Sequence, residues 1–195
     1  MSKAIKITRI LIAATLFVLP VFAVQAEDDF KACVRCHGPE GNSDNPDVPS
    51  ISGLSARYME ASQRAYHDGK RECGTSKMKC RMAAKWTDEE MAGSAAHFAQ
   101  FKRVAPEQVF DSALAEKGKA IHEEHCASCH SAQAEADPEL QPAGKLDGQW
   151  REYLEYALEQ YAGGGRQQPD KMRVALETLS EDQKDELLNY YASGR

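Results

Sequence analysis

The sequence predicts an all-α protein built from two tandem helical domains. Apolar residues recur at helical spacing in "LSARYMEASQRAYHDG" and again in "QWREYLEYALEQYAGG", and each stretch ends in glycine, a helix stop signal. No competing strand pattern is present. A short cysteine-histidine motif occurs twice, 93 residues apart, in matching surroundings.

The chain opens with a segment that belongs to neither domain. Lys3, Lys6 and Arg9 precede an apolar run from Ile10 to Val24, which contains Pro20 and ends at "AVQA". A basic start, a short apolar centre and small residues at the end read as a secretory signal, residues 1–26, cut after Ala26. The alternative is a retained membrane anchor, but the run falls short of the ~20 residues that a spanning helix needs. Cleavage would place the mature protein in the periplasm.

Removing three basic residues from the 24 leaves 21 Lys and Arg against 30 Asp and Glu, a net charge of −9. An acidic protein is a poor match for nucleic acid, which needs a basic footprint. It suits a protein partner with a basic docking face, where opposite charge raises the encounter rate. The acidic run from Glu135 to Glu139 reads as a solvated loop or a docking feature.

Export also sets the redox context, in which thiols become disulfides, ligands or attachment points. Four of the six cysteines fall in "CVRCH" (Cys33, Cys36, His37) and "CASCH" (Cys126, Cys129, His130). C-x-x-C-H is the pattern of c-type haem attachment. Two thiols three residues apart on a helical turn reach the two vinyl groups on one porphyrin edge. The following histidine then turns its imidazole toward the iron. A zinc site would need a second cysteine or histidine pair at finger or ribbon spacing, which each copy lacks. A thioredoxin-like motif has no need of a histidine after the second cysteine, twice. Two covalently bound haem c groups are therefore expected.

The repeat extends past the motifs. At a shift of 95, Ile51 meets Leu146, Gly53 meets Gly148, Tyr58 meets Tyr153, Tyr66 meets Tyr161 and Arg71 meets Arg166. The shift between the two motifs is 93, so the second copy carries two extra residues after its motif. At the ends, "WTDEEM" parallels "LSEDQK", and both open with a capping-box spacing, Thr87 with Glu90 and Ser180 with Gln183. The domains are expected at 27–104 and 112–195, joined by 105–111. A helix is expected from Ser112, with Leu114, Gly118 and Ile121 on one side. Units of about 80 residues have small cores, and a covalently held macrocycle would supply much of the missing interior.

Each iron then needs a sixth ligand or an open site. Methionine raises the reduction potential and suits electron transfer. Met172 sits in "QQPDKM", which reads as a polar, proline-containing loop before the last helix; it follows every other methionine and is the candidate in the second domain. The first domain offers Met59, Met78, Met82 and Met91, of which Met59 and Met91 fall on helices and read as core. Met172 precedes Leu179 by seven residues, so the slot before the equivalent Trp86 is Lys79. Met78 misses that slot by one and Met82 by three. Met172 also lies six residues past Arg166, and Met78 seven past Arg71. Both measures favour Met78, with Met82 as the alternative.

Cys73 and Cys80 remain once the haem thiols are assigned. In an oxidising compartment they are expected to pair, closing an eight-residue loop around Met78. Such closure contributes about 2.5 kcal/mol, and would hold the thioether on the iron. Two free thiols or a site for another metal are the alternatives. His67, His97, His122 and His125 offer bis-histidine ligation in principle, but a lone helical histidine is more often a surface residue.

"CVRCHGPEGNSDNPDVPSISG" and the tyrosine and "GKR" after it resemble the dihaem class I cytochromes c of the cytochrome c-four type, over nearly all of the mature chain. "FDSALAEKGKAIHEEHCASCH" and "LDGQWREYLEYAL" also resemble the haem subunit of flavocytochrome c sulfide dehydrogenase. The resemblance implies two tandem class I cytochrome c domains. It implies a proline carbonyl oriented toward each axial histidine, at Pro49 and, displaced by the insertion, at Pro142. It implies a glycine at a close helix crossing, Gly118; the first-domain counterpart is Gln25, inside the expected signal. By this resemblance the protein is an electron carrier and not an enzyme. His37 and Met78 would hold one iron, and His130 and Met172 the other. Its partners would be a terminal oxidase or cytochrome complex, with peripheral membrane association as a further option. The alternative is a cytochrome subunit accepting electrons from a flavoprotein. A dihaem peroxidase would need an open haem, and a methionine candidate in each domain argues against it.

Overall fold

The computed structural model describes residues 30–74, 76–131 and 142–194. The expected signal, Gln25 and the Glu135–Glu139 run lie outside them. Among the described residues the protein is helical, without a strand, as expected. The first unit runs α1 (Lys31–His37), a 3-10 turn (Pro39–Gly41), α2 (Ala56–His67), α3 (Lys77–Ala83) and α4 (Asp88–Ala99). The second runs α5 (Ser112–His125), α6 (Arg151–Ala162), α7 (Asp170–Thr178) and α8 (Glu181–Ala192).

The two capping boxes form as expected. Thr87 accepts from the Glu90 amide while Glu90 reaches back to Thr87, and Ser180 and Gln183 do the same at the start of α8. Each satisfies amide donors that the first helical turn would otherwise leave open. The amphipathic stretches end where glycine permits a left-handed turn: Gly69 has φ 68° and Gly164 has φ 78°. The turns set the next residues, Arg71 and Arg166, opposite each other in an isolated antiparallel bridge between the two units.

Each unit has its own small core. Met59, Ala95 and Phe98 form one, flanked by Phe30, Cys33 and Val34. Leu154, Leu179, Leu187, Leu188 and Tyr191 form the other, flanked by Ile121 and Cys126. Met59 and Met91 are buried, in keeping with the core reading. Helix α5 crosses α8 so closely that a Cβ on Gly118 would lie 2.0 Å from the Glu186 carbonyl oxygen.

One element differs from expectation. Met172 lies not in a loop but on α7, at the third position of a helix that Pro169 caps and Asp170 begins. A proline at a helix start gives up a donor that would be unpaired there in any case. Arg173 then bonds Asp170 and Glu177 along the same face, supporting the helix. Met78 is likewise on a short helix, α3.

Candidate haem-binding sites

Helix α1 carries Cys33 and Cys36 with His37 at its last position, and the end of α5 leads directly into Cys126, Cys129 and His130. None of these four cysteines is in a disulfide. All six residues line one cavity of about 1330 Å³ that runs through both units. That exceeds the roughly 300–1,000 Å³ of a single small-ligand pocket.

Both histidines are oriented by a backbone carbonyl. His37 Nδ1 donates to the Pro49 oxygen at 2.8 Å. His130 Nδ1 donates to Gly144 at 2.9 Å, so Pro142 does not play the part assigned to it from the resemblance. The reason is register: Pro49 plus 95 is residue 144, so the two extra residues of the second copy already lie before the carbonyl. The repeat alignment held the signal that would have found Gly144. In each case the Nδ1 proton is committed to a carbonyl, which leaves Nε2 as the ring atom available to a metal.

Burial pushes the His37 imidazole down to about 4, the Lys79 charge adds to this, and the Pro49 bond opposes it. Burial lowers His130 as well. Both are therefore neutral at pH 7, the form that binds metal. Between the ordinary 6.5 and about 4 the folded chain binds fewer protons at His37 than the unfolded chain, so stability falls as pH drops through that window. In the haem-free chain, NMR titration of the His37 ring is thus expected to give a midpoint near 4. A midpoint at the ordinary 6.5 would show that His37 is not held in this way.

Cys73 and Cys80 are joined in a disulfide, with Cα atoms 5.7 Å apart. Inside that loop Met78 is 59% exposed and Lys79 half-buried, and Met82, two residues past it, is half-buried as well. All three line the cavity, as does Met172. The Lys79 amine lies 5.2 Å from the Tyr66 ring and 5.1 Å from the Trp86 ring, within cation–π range. Burial lowers its pKa. Of the four histidines considered for bis-histidine ligation, His97 packs among Phe30, Phe98 and Phe101, His122 meets the Tyr191 hydroxyl, and His67 meets Asp68. His125 lines the cavity beside its own motif.

Between the two motifs sits a cluster the sequence reading did not single out. Arg71 donates to Ser62 and to the Tyr153 hydroxyl, and its guanidinium stacks over Tyr66. Arg166 donates to the Tyr58 hydroxyl and stacks over Tyr161. The arrangement is nearly two-fold symmetric, because each pair of residues is related by the 95-residue shift. Burial alone would raise the Tyr153 phenol, yet the two guanidiniums hold it at about 8. Neither arginine appears in the ion pairs among the described residues. Two cationic groups at the meeting point of the cavity suit a ligand that brings its own carboxylates.

Below this cluster the units are pinned together. Gln149 and Ser50 exchange two hydrogen bonds of 2.8 and 2.9 Å. Trp150 Nε1 donates to the Ser43 oxygen, and Arg103 donates to the carbonyls of Ser50 and Lys145.

The sequence profile described as Cytochrome c matches residues 26–102 and again 115–194. The chain belongs to the cytochrome c family. Over 172 residues this cytochrome is 28% identical to cytochrome c4 of Thiocapsa roseopersicina, covering 83% of this chain and 86% of that one. It is 34% identical over 91 residues to the cytochrome subunit of sulfide dehydrogenase of Chlorobaculum tepidum, covering 47% and 79%. The crystal structure of cytochrome c4 from Pseudomonas stutzeri superposes with a TM-score of 0.70 at 23% identity, covering 86% of this chain and 95% of that one. The cytochrome carries two tandem c-type domains with covalently bound haem c, and it is a c4-like dihaem electron-transfer protein rather than an enzyme. The residues fit two such groups: two thiols and an oriented imidazole at each site, and one cavity larger than a single ligand needs.

Proposed function

We propose that this cytochrome is a periplasmic carrier that takes single electrons from one protein and passes them to another, with domains at 27–104 and 112–195 joined by 105–111. The observation that supports it best is the continuity of the two motif-lined sites in one cavity. The bound haems supply one-electron chemistry by cycling their irons between ferrous and ferric states. Cys33 and Cys36 anchor the first group, and Cys126 and Cys129 the second. His37 and His130 would hold the irons through Nε2, and Met78 and Met172 would supply the thioether ligands. The thioether favours the reduced iron and so raises the potential. Arg71 and Arg166, at the meeting point of the two sites, would pair with carboxylates of the bound groups. The hydrogen bonds of Ser50, Gln149 and Arg103 keep the domains from separating, which preserves the distance between the two groups.

The Cys73–Cys80 disulfide restricts the loop that must present Met78. The Cys73→Ser/Cys80→Ser double variant is expected to lower the first domain's stability by about 2.5 kcal/mol. For a domain this small that is roughly 10–20 °C in the melting temperature. A melt followed by haem absorbance should show one of two transitions moving and the other staying.

A net charge of −9 after export fits partners with a basic docking face. Among the described residues no helix is long and apolar enough to cross a membrane. The deciding experiment is gentle purification from the periplasm, with an absorption spectrum taken across a gel-filtration peak. Haem bands alone at monomer or dimer size are the expected result. A co-eluting flavin signal and a larger partner would make this chain the electron outlet of a flavoprotein complex.

A further inference from the structure

The bond that orients His37 does not end inside the first unit. His37 Nδ1 donates to the Pro49 oxygen at 2.8 Å, and the N–H of the same peptide group, that of Ser50, donates to Gln149 Oε1 at 2.8 Å. Gln149 belongs to the second unit, 99 residues along the chain. Its amide fits only one way round. Oε1 accepts from the amides of Ser50 and Trp150, and Nε2 donates to the Ser50 oxygen at 2.9 Å. A flip would set each end against a group of its own kind. Ser50 and Gln149 are both buried, where such bonds are stronger than in water.

The second site is not built this way. The repeat shift of 95 sets Leu54 against Gln149, and leucine offers no acceptor for the Lys145 N–H. Arg103, by contrast, serves both sides. Its guanidinium donates to the carbonyls of Ser50 and Lys145, which the same shift sets against each other. Each of these follows the residue whose carbonyl orients a histidine.

We infer that Gln149 is a positioning residue for the first haem, acting from the second domain through the Pro49–Ser50 peptide on His37. The inference rests on the proposed ligation by His37 and deepens it. Resonance links the two ends of a peptide group. An acceptor on the Ser50 N–H therefore pushes electron density toward the Pro49 oxygen, and bonds in such a chain strengthen one another. A stronger bond at Nδ1 makes the imidazole a more basic ligand. That favours ferric over ferrous iron, so Gln149 lowers the first haem's potential and leaves the second's alone. This contribution biases a shared electron toward the second haem. Because the bond crosses between the domains, it exists only while they are docked.

The test uses the full haem-loaded protein, with potentials from voltammetry and the ring Nδ1 protons from NMR of the ferrous state. Gln149→Leu puts the first copy's residue at this place. One wave should move up and the other stay, and the His37 Nδ1 proton should move upfield while that of His130 stays. Gln149→Glu keeps the acceptor for the Ser50 N–H and gives up the donor to its carbonyl, so the same wave should lie at or below its wild-type place. Trp150→Phe cuts the bond between the domains to the Ser43 oxygen without touching the Pro49–Ser50 peptide, and should shift neither wave. Two waves rising together in Gln149→Leu, two that do not move, or a rise as large in Gln149→Glu or Trp150→Phe would make Gln149 only a pin between the domains and overturn the inference. The ligand reading fails separately: two low-spin haems in His37→Ala would show that His37 does not hold the iron. If Gln149→Leu fails to load haem, the same two readings are taken on Gln149→Asn, which stays polar but is one methylene too short to reach the Ser50 amide. An unmoved His37 proton there overturns the inference.

Discussion

Replacing Met172 with alanine is expected to change one haem and spare the other. The weak red band of thioether-bound ferric haem should fall by the second haem's share, and one of the two redox steps should move down while the other stays. Met172 is half-buried on α7 and lines the cavity. It follows every other methionine in the chain, and the preceding one, Met91, is fully buried in the first unit. No thioether of the second domain can therefore take its place. On the proposed ligation by Met172, loss of the thioether removes the ligand that favours the reduced iron. A redox titration with two unchanged steps would show that Met172 is a packing residue and that the second iron is held otherwise.

Gly118→Ala is expected to unfold the second domain well below the first. The added Cβ would sit 2.0 Å from the Glu186 oxygen and 2.5 Å from its carbonyl carbon, both backbone atoms of α8. Neither can move without shifting the helix, so the cost is that of overpacking, about 3 kcal/mol. In a domain of this size that lowers the melting temperature by over about 10 °C. Because α8 also carries Leu187, Leu188 and Tyr191, which build the core beside Cys126, the second haem should be lost first. Calorimetry with a single unchanged transition would mean that α5 and α8 can separate at little cost.

Much of this site is written locally. C-x-x-C-H places two thiols and an imidazole on one turn because helical spacing does so wherever the motif stands. The capping boxes form where Thr87 and Ser180 stand, since both bonds lie within four residues. Gly144 was missed for a different reason. Its function is a backbone carbonyl, to which any residue contributes equally, so side-chain identity pointed to Pro142 instead. The α7 helix was missed because "QQPDKM" looks loop-like alone, and the support of Arg173 by Asp170 and Glu177 exists only once the turn is wound.

The chain's residues alone were enough to predict two helical repeats, two C-x-x-C-H motifs and the pairing of Cys73 with Cys80. Each of these depends on spacing within a few residues or on repetition. Tertiary structure decided what depends on residues about a hundred positions apart. It set Arg71 against Tyr153 and Arg166 against Tyr58, merged two sites into one cavity, and turned Lys79 inward while leaving Met78 exposed. The direction a side chain takes around a helix is settled by what that helix packs against. No local pattern carries that information.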